Sequence, residues 1–215
     1  ALLVASKQFN DIKIVSTGGG AAGIACLNML VKLGVKKKNI WLCDINGLVY
    51  EGRTTDMNAE KAAFAQKTDL RSLDEVIENA DMFLGLSGPN ILTSSMIKKM
   101  GAKPIIFALA NPSPEVMPDI ARKAASDAII ATGRSDFPNQ VNNVLCFPFI
   151  FRGALDVEAT EINDEMQLAC IDAIAEIART TTSAEAAAAY QGEALTFGPE
   201  YLIPKPFDPR LSVVV

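Results

Sequence analysis

Residues 13–44 read KIVSTGGGAAGIACLNMLVKLGVKKKNIWLCD, and this stretch decides the fold of the chain. It opens with a short run of β-forming residues and breaks at three consecutive glycines. Apolar residues at helical spacing follow, and a second apolar run closes on Asp44. A strand, a glycine turn, a helix, a second strand and a terminal acid together form one βαβ unit of about 30 residues. This is the context that a dinucleotide-binding fingerprint requires.

Three glycines of the turn have separate physical tasks. Gly18 permits the tight turn after the strand, Gly20 lets the backbone approach a pyrophosphate, and Gly23 lets the helix pack closely on the sheet. The free N–H groups of the first helical turn then point at the phosphates. Asp44 lies about 20 residues after the last glycine, where a carboxylate can accept hydrogen bonds from an adenosine ribose. We therefore predict dinucleotide binding; the alternative is a glycine-rich turn that binds no nucleotide.

Composition limits the remaining possibilities. The 215 residues are 49% hydrophobic, which is ample for the core of one large α/β domain. The net charge of −5 makes nucleic acid and anionic membranes poor partners, and Arg, Lys, Asp or Pro interrupts every apolar run before it could span a bilayer. The four scattered cysteines show no zinc spacing and indicate free thiols in a reducing, cytoplasmic compartment. The chain has no histidine, which excludes a Ser-His-Asp triad within these residues.

Further strands and helices alternate after the opening unit. Apolar runs predict buried strands at residues 81–87, 104–110 and 128–132, and helical patterns lie at residues 58–66, 72–79, 93–100 and 117–125. This alternation predicts a Rossmann-like α/β fold, a doubly wound and mainly parallel sheet with helices on both faces.

The last third of the chain has a different pattern. Residues 163–179 predict a long amphipathic helix, and the alanine-rich residues 183–190 predict another. The proline-bearing tail from residue 198 reads as an extended arm. We divide the chain into a cofactor-binding domain, residues 1–180, and a C-terminal helix with a proline-rich arm, residues 181–215.

Ligands of an open parallel sheet bind outside the carboxyl ends of its strands. Asn111 follows one predicted strand, and Asn143 lies in a polar loop; each amide can donate to a carboxylate. Arg134 follows another strand and suits a phosphate or a carboxylate. A turn is an equal alternative for Asn111, and a surface or structural ion pair is an equal alternative for Arg134. The acidic residues between 156 and 164 favour a helix start over a metal site, so we predict no metal site in this chain.

Seven blocks of the sequence follow one another in a distinctive order: STGGGAAGIAC at residues 16–26, VYEGR at 49–53, FLGLS at 83–87, ALANP at 108–112, ATGRS at 131–135, PNQVNNVLCFP at 138–148 and FGPEYLIPKPFDP at 197–209. These blocks resemble the C-terminal, cofactor-binding domain of bacterial malic enzymes, the large type often fused to a phosphotransacetylase-like region. The resemblance implies oxidative decarboxylation of malate to pyruvate and carbon dioxide, with hydride passed to NAD or NADP and a divalent cation, Mg²⁺ or Mn²⁺, polarising the substrate.

The same resemblance assigns roles to residues of this chain. Asn111 and Asn143 would hold the carboxylate of malate or pyruvate. The dinucleotide would contact Gly18, Gly20, Ala21, Ala22, Gly23, Asp44, Ser87, Asn111 and Asn142. The catalytic tyrosine and lysine and most metal ligands of the family lie in a separate upstream domain, so this chain alone is expected to bind cofactor without turning over malate. The resemblance also leads us to expect a homo-oligomer.

The choice between NAD and NADP rests on charge. Asp44 repels a 2′-phosphate, and Ile45-Asn46 replaces the Ser-Lys of many family members, which removes a phosphate partner. We therefore favour NAD, with NADP as the alternative. Two other functions stay open: a non-catalytic NAD(H)-binding sensor or scaffold, and the cofactor domain of an amino-acid dehydrogenase.

Overall fold

The computed structural model describes residues 1–180 and 195–215. The chain forms two compact units, Ala1–Phe137 and Pro138–Val215. The alanine-rich segment that we predicted to be helical, residues 183–190, lies outside the described residues.

The first unit, in which every residue is described, is built on a six-stranded sheet in the order β3-β2-β1-β4-β5-β6. The strands are β1 (Ile14–Thr17), β2 (Ile40–Asp44), β3 (Gly47–Leu48), β4 (Met82–Gly85), β5 (Ile105–Ala108) and β6 (Ile129–Thr132). The short edge strand β3 is antiparallel to β2, and the other neighbouring pairs are parallel. The order reverses between β1 and β4, as in doubly wound dinucleotide-binding sheets. The predicted fold class is confirmed.

Short helices connect these strands. They are α1 (Leu2–Ala5), α2 (Ala21–Lys32), α3 (Ala59–Ala62), α4 (Leu73–Val76), α5 (Ser94–Lys99) and α6 (Pro118–Ala124), with a 3₁₀ turn at Lys37–Asn39. Every residue of β1, β4 and β6 is buried, because the sheet is covered on both faces. Val15, Phe83 and Ile106 are fully buried in the main core. Each such side chain contributes about 1.5–3 kcal/mol by leaving water.

The predicted helix starts are confirmed, but two helices end earlier than their patterns indicate. Asn58, Ser72 and Thr93 each cap a helix with the side chain, and Ser72 forms a capping box. The helix predicted to reach residue 79 ends at Val76, because Asn79 adopts a positive φ of 55° and its N–H bonds to the carbonyl of Lys99 instead. The helix predicted to reach residue 66 ends at Ala62, because Gln66 pairs with the strand-like segment at Tyr50.

The second unit is helical in its described part. It contains a 3₁₀ turn at Asn143–Leu145 and the helices α7 (Phe149–Asp156), α8 (Asp164–Arg179) and α9 (Leu211–Val214). Asn163 caps α8, and Leu145, Ile177 and Leu211 form a small core. The acidic stretch that we predicted to start one helix is split, since Asp156 ends α7 and Asp164 begins α8. The proline-bearing tail is not extended throughout, since it ends in α9.

All four cysteines are free, as predicted, and Cys43 and Cys170 are buried. Burial is the main cause that raises the pKa of the Cys43 thiol to about 12, which makes it unreactive at neutral pH. Among the described residues, no helix combines the length and the apolar character that a membrane crossing requires.

Candidate functional site

A cleft of about 1140 Å³ opens at the carboxyl ends of β1, β2 and β4 in the first unit. Its position is the switch point of the sheet, where ligands of doubly wound folds bind. Its lining combines the glycine turn, the acid that ends β2 and the loop that leaves β4: Thr17, Gly18, Gly19, Gly20, Asp44, Asp56, Lys61, Arg71, Ser87 and Gly88 are among the residues that face it.

The glycine turn exposes bare backbone to this cleft. A Cβ on Gly23 would lie 1.9 Å from the carbonyl oxygen of Gly18, so helix α2 packs against the turn too closely for any side chain. Gly18 has a φ of 104°, and its own Cβ would lie 2.2 Å from the oxygen of Leu86. No atom lies within 4 Å of the Cβ position of Gly20, so the space beside it is open. The close packing predicted for Gly18 and Gly23 is thus present, and the approach of a pyrophosphate to Gly20 stays a prediction.

The first turn of α2 has no side-chain cap. Gly20 precedes the helix in an extended conformation, and Ala21 and Ala22 at its start are exposed. The N–H groups at such a helix start have no intrahelical partner and carry the positive end of the helix dipole. A diphosphate therefore fits this turn by both hydrogen bonding and charge.

Asp44 lies at the centre of a buried charge cluster. Its two carboxylate oxygens accept hydrogen bonds from Arg53 at 2.7 and 2.8 Å, from the Lys61 ammonium at 2.9 Å and from the N–H of Asn46 at 2.9 Å. The side chains of Asp44, Arg53 and Lys61 are 6%, 3% and 8% exposed. Lys61 also bonds to Asp56, to its carboxylate at 2.7 Å and its carbonyl at 2.8 Å.

The cluster fixes the charge state of its members. Burial would raise the pKa of Asp44, but the hydrogen bonds from Arg53 and Lys61 outweigh it and hold that pKa below its ordinary value. The hydrogen bond to Asp56, followed by the contact with Asp44, raises the pKa of Lys61. The four side chains carry two positive and two negative charges at neutral pH, so this corner of the cleft is neutral in sum. Asp44 as a ribose acceptor stays a prediction.

Sequence reasoning missed Arg53 and Lys61. Lys61 lies on the short helix α3, and its stem fills the space beside Gly19, where a Cβ would lie 2.8 Å from Lys61 Cε. Arg53 bonds to the carbonyls of Leu48 and Thr55 as well as to Asp44. The available signal was the block VYEGR after Asp44, which supplies a cation to the acid that ends β2.

A second cluster joins the carboxyl ends of β4 and β5. The Ser87 N–H donates to Glu115 at 2.9 Å, and the Ser87 hydroxyl lies 2.9 Å from the Thr17 hydroxyl. The N–H of Ala110 donates to the other oxygen of Glu115 at 3.1 Å. Ser87, a predicted cofactor contact, is thereby fixed between β1 and a buried acid. Glu115 was also missed.

The predicted asparagines occupy different units. Asn111 follows β5 and is exposed, with its amide against Gly133, whose Cβ would lie 2.8 Å from Asn111 Nδ2. Asn142 caps the 3₁₀ turn of the second unit by accepting from the N–H of Val144, and Asn143 begins that turn. Their approach to one ligand stays a prediction.

Arg134 pairs with Asp136 at 2.7 and 2.8 Å, which is the structural ion pair that the sequence analysis gave as its alternative role.

No group of three or more acidic, cysteine or histidine side chains within residues 1–180 and 195–215 is arranged to hold a metal ion.

Comparisons with known proteins by family model, by sequence and by structure all identify the same protein family. Residues 1–190 match the family model described as malic enzyme, NAD binding domain. The chain is 58% identical over its whole length to an NADP-dependent malic enzyme of Escherichia coli and 57% identical over 98% of its length to an NAD-dependent malic enzyme of Rhizobium meliloti. It spans only 28% and 27% of those proteins. A crystal structure of an NAD-dependent malic enzyme from Thermotoga maritima matches 99% of the chain with a TM-score of 0.83 at 38% identity, over 52% of that enzyme.

Proposed function

The chain belongs to the family of malic enzyme NAD-binding domains, and from this premise we propose that it supplies the cofactor site for oxidative decarboxylation of malate to pyruvate and carbon dioxide. The observation that carries the proposal is the bare glycine turn, which faces a cleft at the switch point of the sheet. The nicotinamide cofactor would accept the hydride that malate loses.

In this proposal the residues of the first unit bind and orient the dinucleotide. Gly18 and Gly23 shape the turn, the open space beside Gly20 leaves room for the diphosphate, and the N–H groups at Ala21 and Ala22 donate to it. Asp44 and its two cations border the adenosine ribose. Ser87 contacts the cofactor from the carboxyl end of β4, held there by Glu115.

We further propose a preference for NAD over NADP. The ammonium of Lys61 has three donors, and the oxygens of Asp44 and Asp56 already provide three acceptors for them. A 2′-phosphate would have to break one of these bonds, and Asn46 offers no replacement cation. Relatives of both cofactor types match this chain almost equally well, so the preference rests on the charges alone.

The remaining assignments are proposals of the same kind. Asn111 and Asn143 would hold the substrate carboxylate near the nicotinamide, with Asn111 and Asn142 also contacting the cofactor. A divalent cation, Mg²⁺ or Mn²⁺, would act in the complete enzyme, which we propose to be a cytoplasmic homo-oligomer. Residues 1–180 would form the cofactor domain and residues 181–215 a helix and arm.

Titration calorimetry with NAD⁺, NADP⁺ and NADH tests cofactor binding directly. We expect saturable binding of the dinucleotides, NAD⁺ being the tighter of the oxidised pair; the absence of any response would refute the proposal. Tighter binding of NADP⁺ would refute only the proposed preference for NAD. Arg71, which lines the cleft and stacks 3.7 Å from the ring of Tyr50, would then be the cation to substitute next.

An activity assay separates the malic enzyme proposal from a sensor. We expect no NADH or NADPH from malate with Mg²⁺ or Mn²⁺ when these 215 residues are assayed alone. We also expect malate to tighten NADH binding, because Asn111 and Asn143 are proposed to hold its carboxylate near the nicotinamide. An unchanged NADH affinity in saturating malate would favour the sensor reading.

A further inference from the structure

Glu115 is a fully buried acid without a basic partner among the described residues. Its side chain is 0% exposed, and it lies between the carboxyl ends of β4 and β5. Oε1 accepts from the N–H of Ser87 at 2.9 Å and faces the Ser87 hydroxyl at 3.3 Å, while Oε2 accepts from the N–H of Ala110 at 3.1 Å. Each of these partners can donate, which matches an ionised carboxylate that only accepts.

The absence of a side chain at Gly85 leaves the space that this carboxylate occupies. A Cβ on Gly85, the last residue of β4, would lie 2.4 Å from Glu115 Cδ and 2.6 Å from Oε2. The carbonyl of Glu115 accepts from the N–H of Leu92, which ties its own loop to the loop after β4. Burying a carboxylate without a cation is costly, so a packed apolar side chain would be the cheaper way to fill this space. A counter-charge supplied by a ligand would offset that cost.

The geometry of the cleft indicates which part of a dinucleotide lies nearest. The glycine turn after β1 and the acid that ends β2 define the half of the site that takes the adenosine and the diphosphate. The other mononucleotide then crosses the switch point to β4 and β5. Ser87 and Gly88 line the cleft there, and Glu115 lies directly behind Ser87.

We propose that the negative charge of Glu115 makes this site prefer the oxidised, cationic nicotinamide ring. The inference rests on the proposed function and extends it, since it assigns a redox-state preference to a residue outside the cleft wall. An anion behind the ring attracts the pyridinium of NAD⁺ and gives no such attraction to a neutral ring of the same shape. At a separation of about 10 Å and an effective dielectric constant of about 25–50, between the values for protein and for bulk water, this attraction corresponds to roughly a three- to tenfold difference in Kd.

The test compares NAD⁺ with benzamide adenine dinucleotide, in which a neutral benzene ring replaces the pyridinium. Calorimetric titration measures both Kd values for the unaltered chain, for Glu115→Gln and for Asp119→Asn. The last variant removes an equal charge from an exposed position near the start of α6 and serves as the matched control. A purely structural role for Glu115 would weaken both ligands together and leave their ratio unchanged.

We expect the unaltered chain and Asp119→Asn to bind NAD⁺ about three- to tenfold more tightly than the neutral analogue, and Glu115→Gln to bind the two almost equally. The comparison in the unaltered chain stands even if Glu115→Gln does not fold. Equal Kd values in the unaltered chain, or a preference that persists in a folded Glu115→Gln, would overturn the inference while leaving cofactor binding intact. Binding of neither ligand would instead refute the proposed function, and this inference with it.

Discussion

At the scale of single residues, substitution by alanine should affect stability at one glycine of the turn and ligand affinity at another. A methyl group on Gly23 would collide with the Gly18 carbonyl at 1.9 Å, so Gly23→Ala should cost about 3 kcal/mol and lower Tm by about 6–12 °C. Gly20→Ala meets no atom within 4 Å and should change stability by less than about 1 kcal/mol. Its methyl group would nevertheless occupy the space proposed for the diphosphate, so Kd for NADH should rise about tenfold or more.

Thermal unfolding and NADH titration on the two variants separate these effects. A Gly20→Ala chain that keeps its NADH affinity would show that the diphosphate does not approach this backbone. A Gly23→Ala chain with unchanged Tm would contradict the close packing of α2 on the turn.

The buried acid Asp44 should control part of the acid stability. Its folded pKa lies below the ordinary value, because the hydrogen bonds from Arg53 and Lys61 outweigh the effect of burial. Its contribution is therefore complete above the unfolded pKa of about 3.9 and is lost as the pH falls through the folded pKa. Asp44→Asn leaves two buried cations without their shared carboxylate and should cost about 3 kcal/mol at pH 7.

Urea unfolding of both chains from pH 7 to pH 2 checks this expectation. The difference in unfolding free energy should shrink below about pH 4, where the unaltered chain loses the same interaction. Asp74→Asn is the matched control, because the Asp74–Lys99 pair is 50% and 41% exposed and should contribute less than about 1 kcal/mol. A gap between the unaltered chain and Asp44→Asn that stays constant down to pH 2 would contradict the assigned ion pairs.

At the scale of elements, the stabilising effect of a side-chain helix cap should be measurable. Asn163 accepts from the N–H of Met166 at 3.0 Å and starts the long helix α8. Asn163→Ala should destabilise the chain by about 1 kcal/mol, whereas Asn163→Ser should stay within a few tenths of a kcal/mol because serine caps equally well. Urea unfolding measures both values. Equal effects of the two substitutions would show that the cap does not stabilise the helix.

Local chemistry decided which elements the sequence could predict. The helix starts predicted at residues 58, 72 and 93 and the apolar runs of β1, β4 and β6 depend on interactions within a few residues, so their positions were found. The ends of α3 and α4 were not, because Gln66 and Asn79 pair with distant backbone at Tyr50 and Lys99. Helix length there is set by tertiary contacts rather than by propensity.

The residues of the candidate site likewise divide into those that local sequence predicts and those that it does not. The roles of Gly18 and Gly23 follow from their spacing, which can be read directly from the sequence, and the close packing at both glycines agrees with it. Lys61 reaches Asp44 across 17 positions and Glu115 reaches Ser87 across 28, so no local pattern marks either contact. A buried charge needs a partner, but the sequence does not reveal which partner the fold brings to it.

At the scale of the whole molecule, the two units should differ in what they contribute to ligand binding. Ala1–Phe137 contains the whole sheet, the main core, the glycine turn and the cleft, and a unit of this size with its own core can fold alone. We therefore expect residues 1–137 to fold and to bind ADP-ribose with a Kd within about threefold of the full chain, since the proposed diphosphate contacts all lie in this unit.

Circular dichroism and calorimetric titration of residues 1–137 test this, with the same segment carrying Gly20→Ala as the control for binding at the turn. The control should fold and lose most of its ADP-ribose affinity, because its methyl group would occupy the space proposed for the diphosphate. Asn142 and Asn143 belong to the second unit, so any response of cofactor affinity to malate should disappear in the shorter chain. A folded segment that binds no ADP-ribose would mean that the second unit contributes to the diphosphate site and that the glycine turn is insufficient by itself.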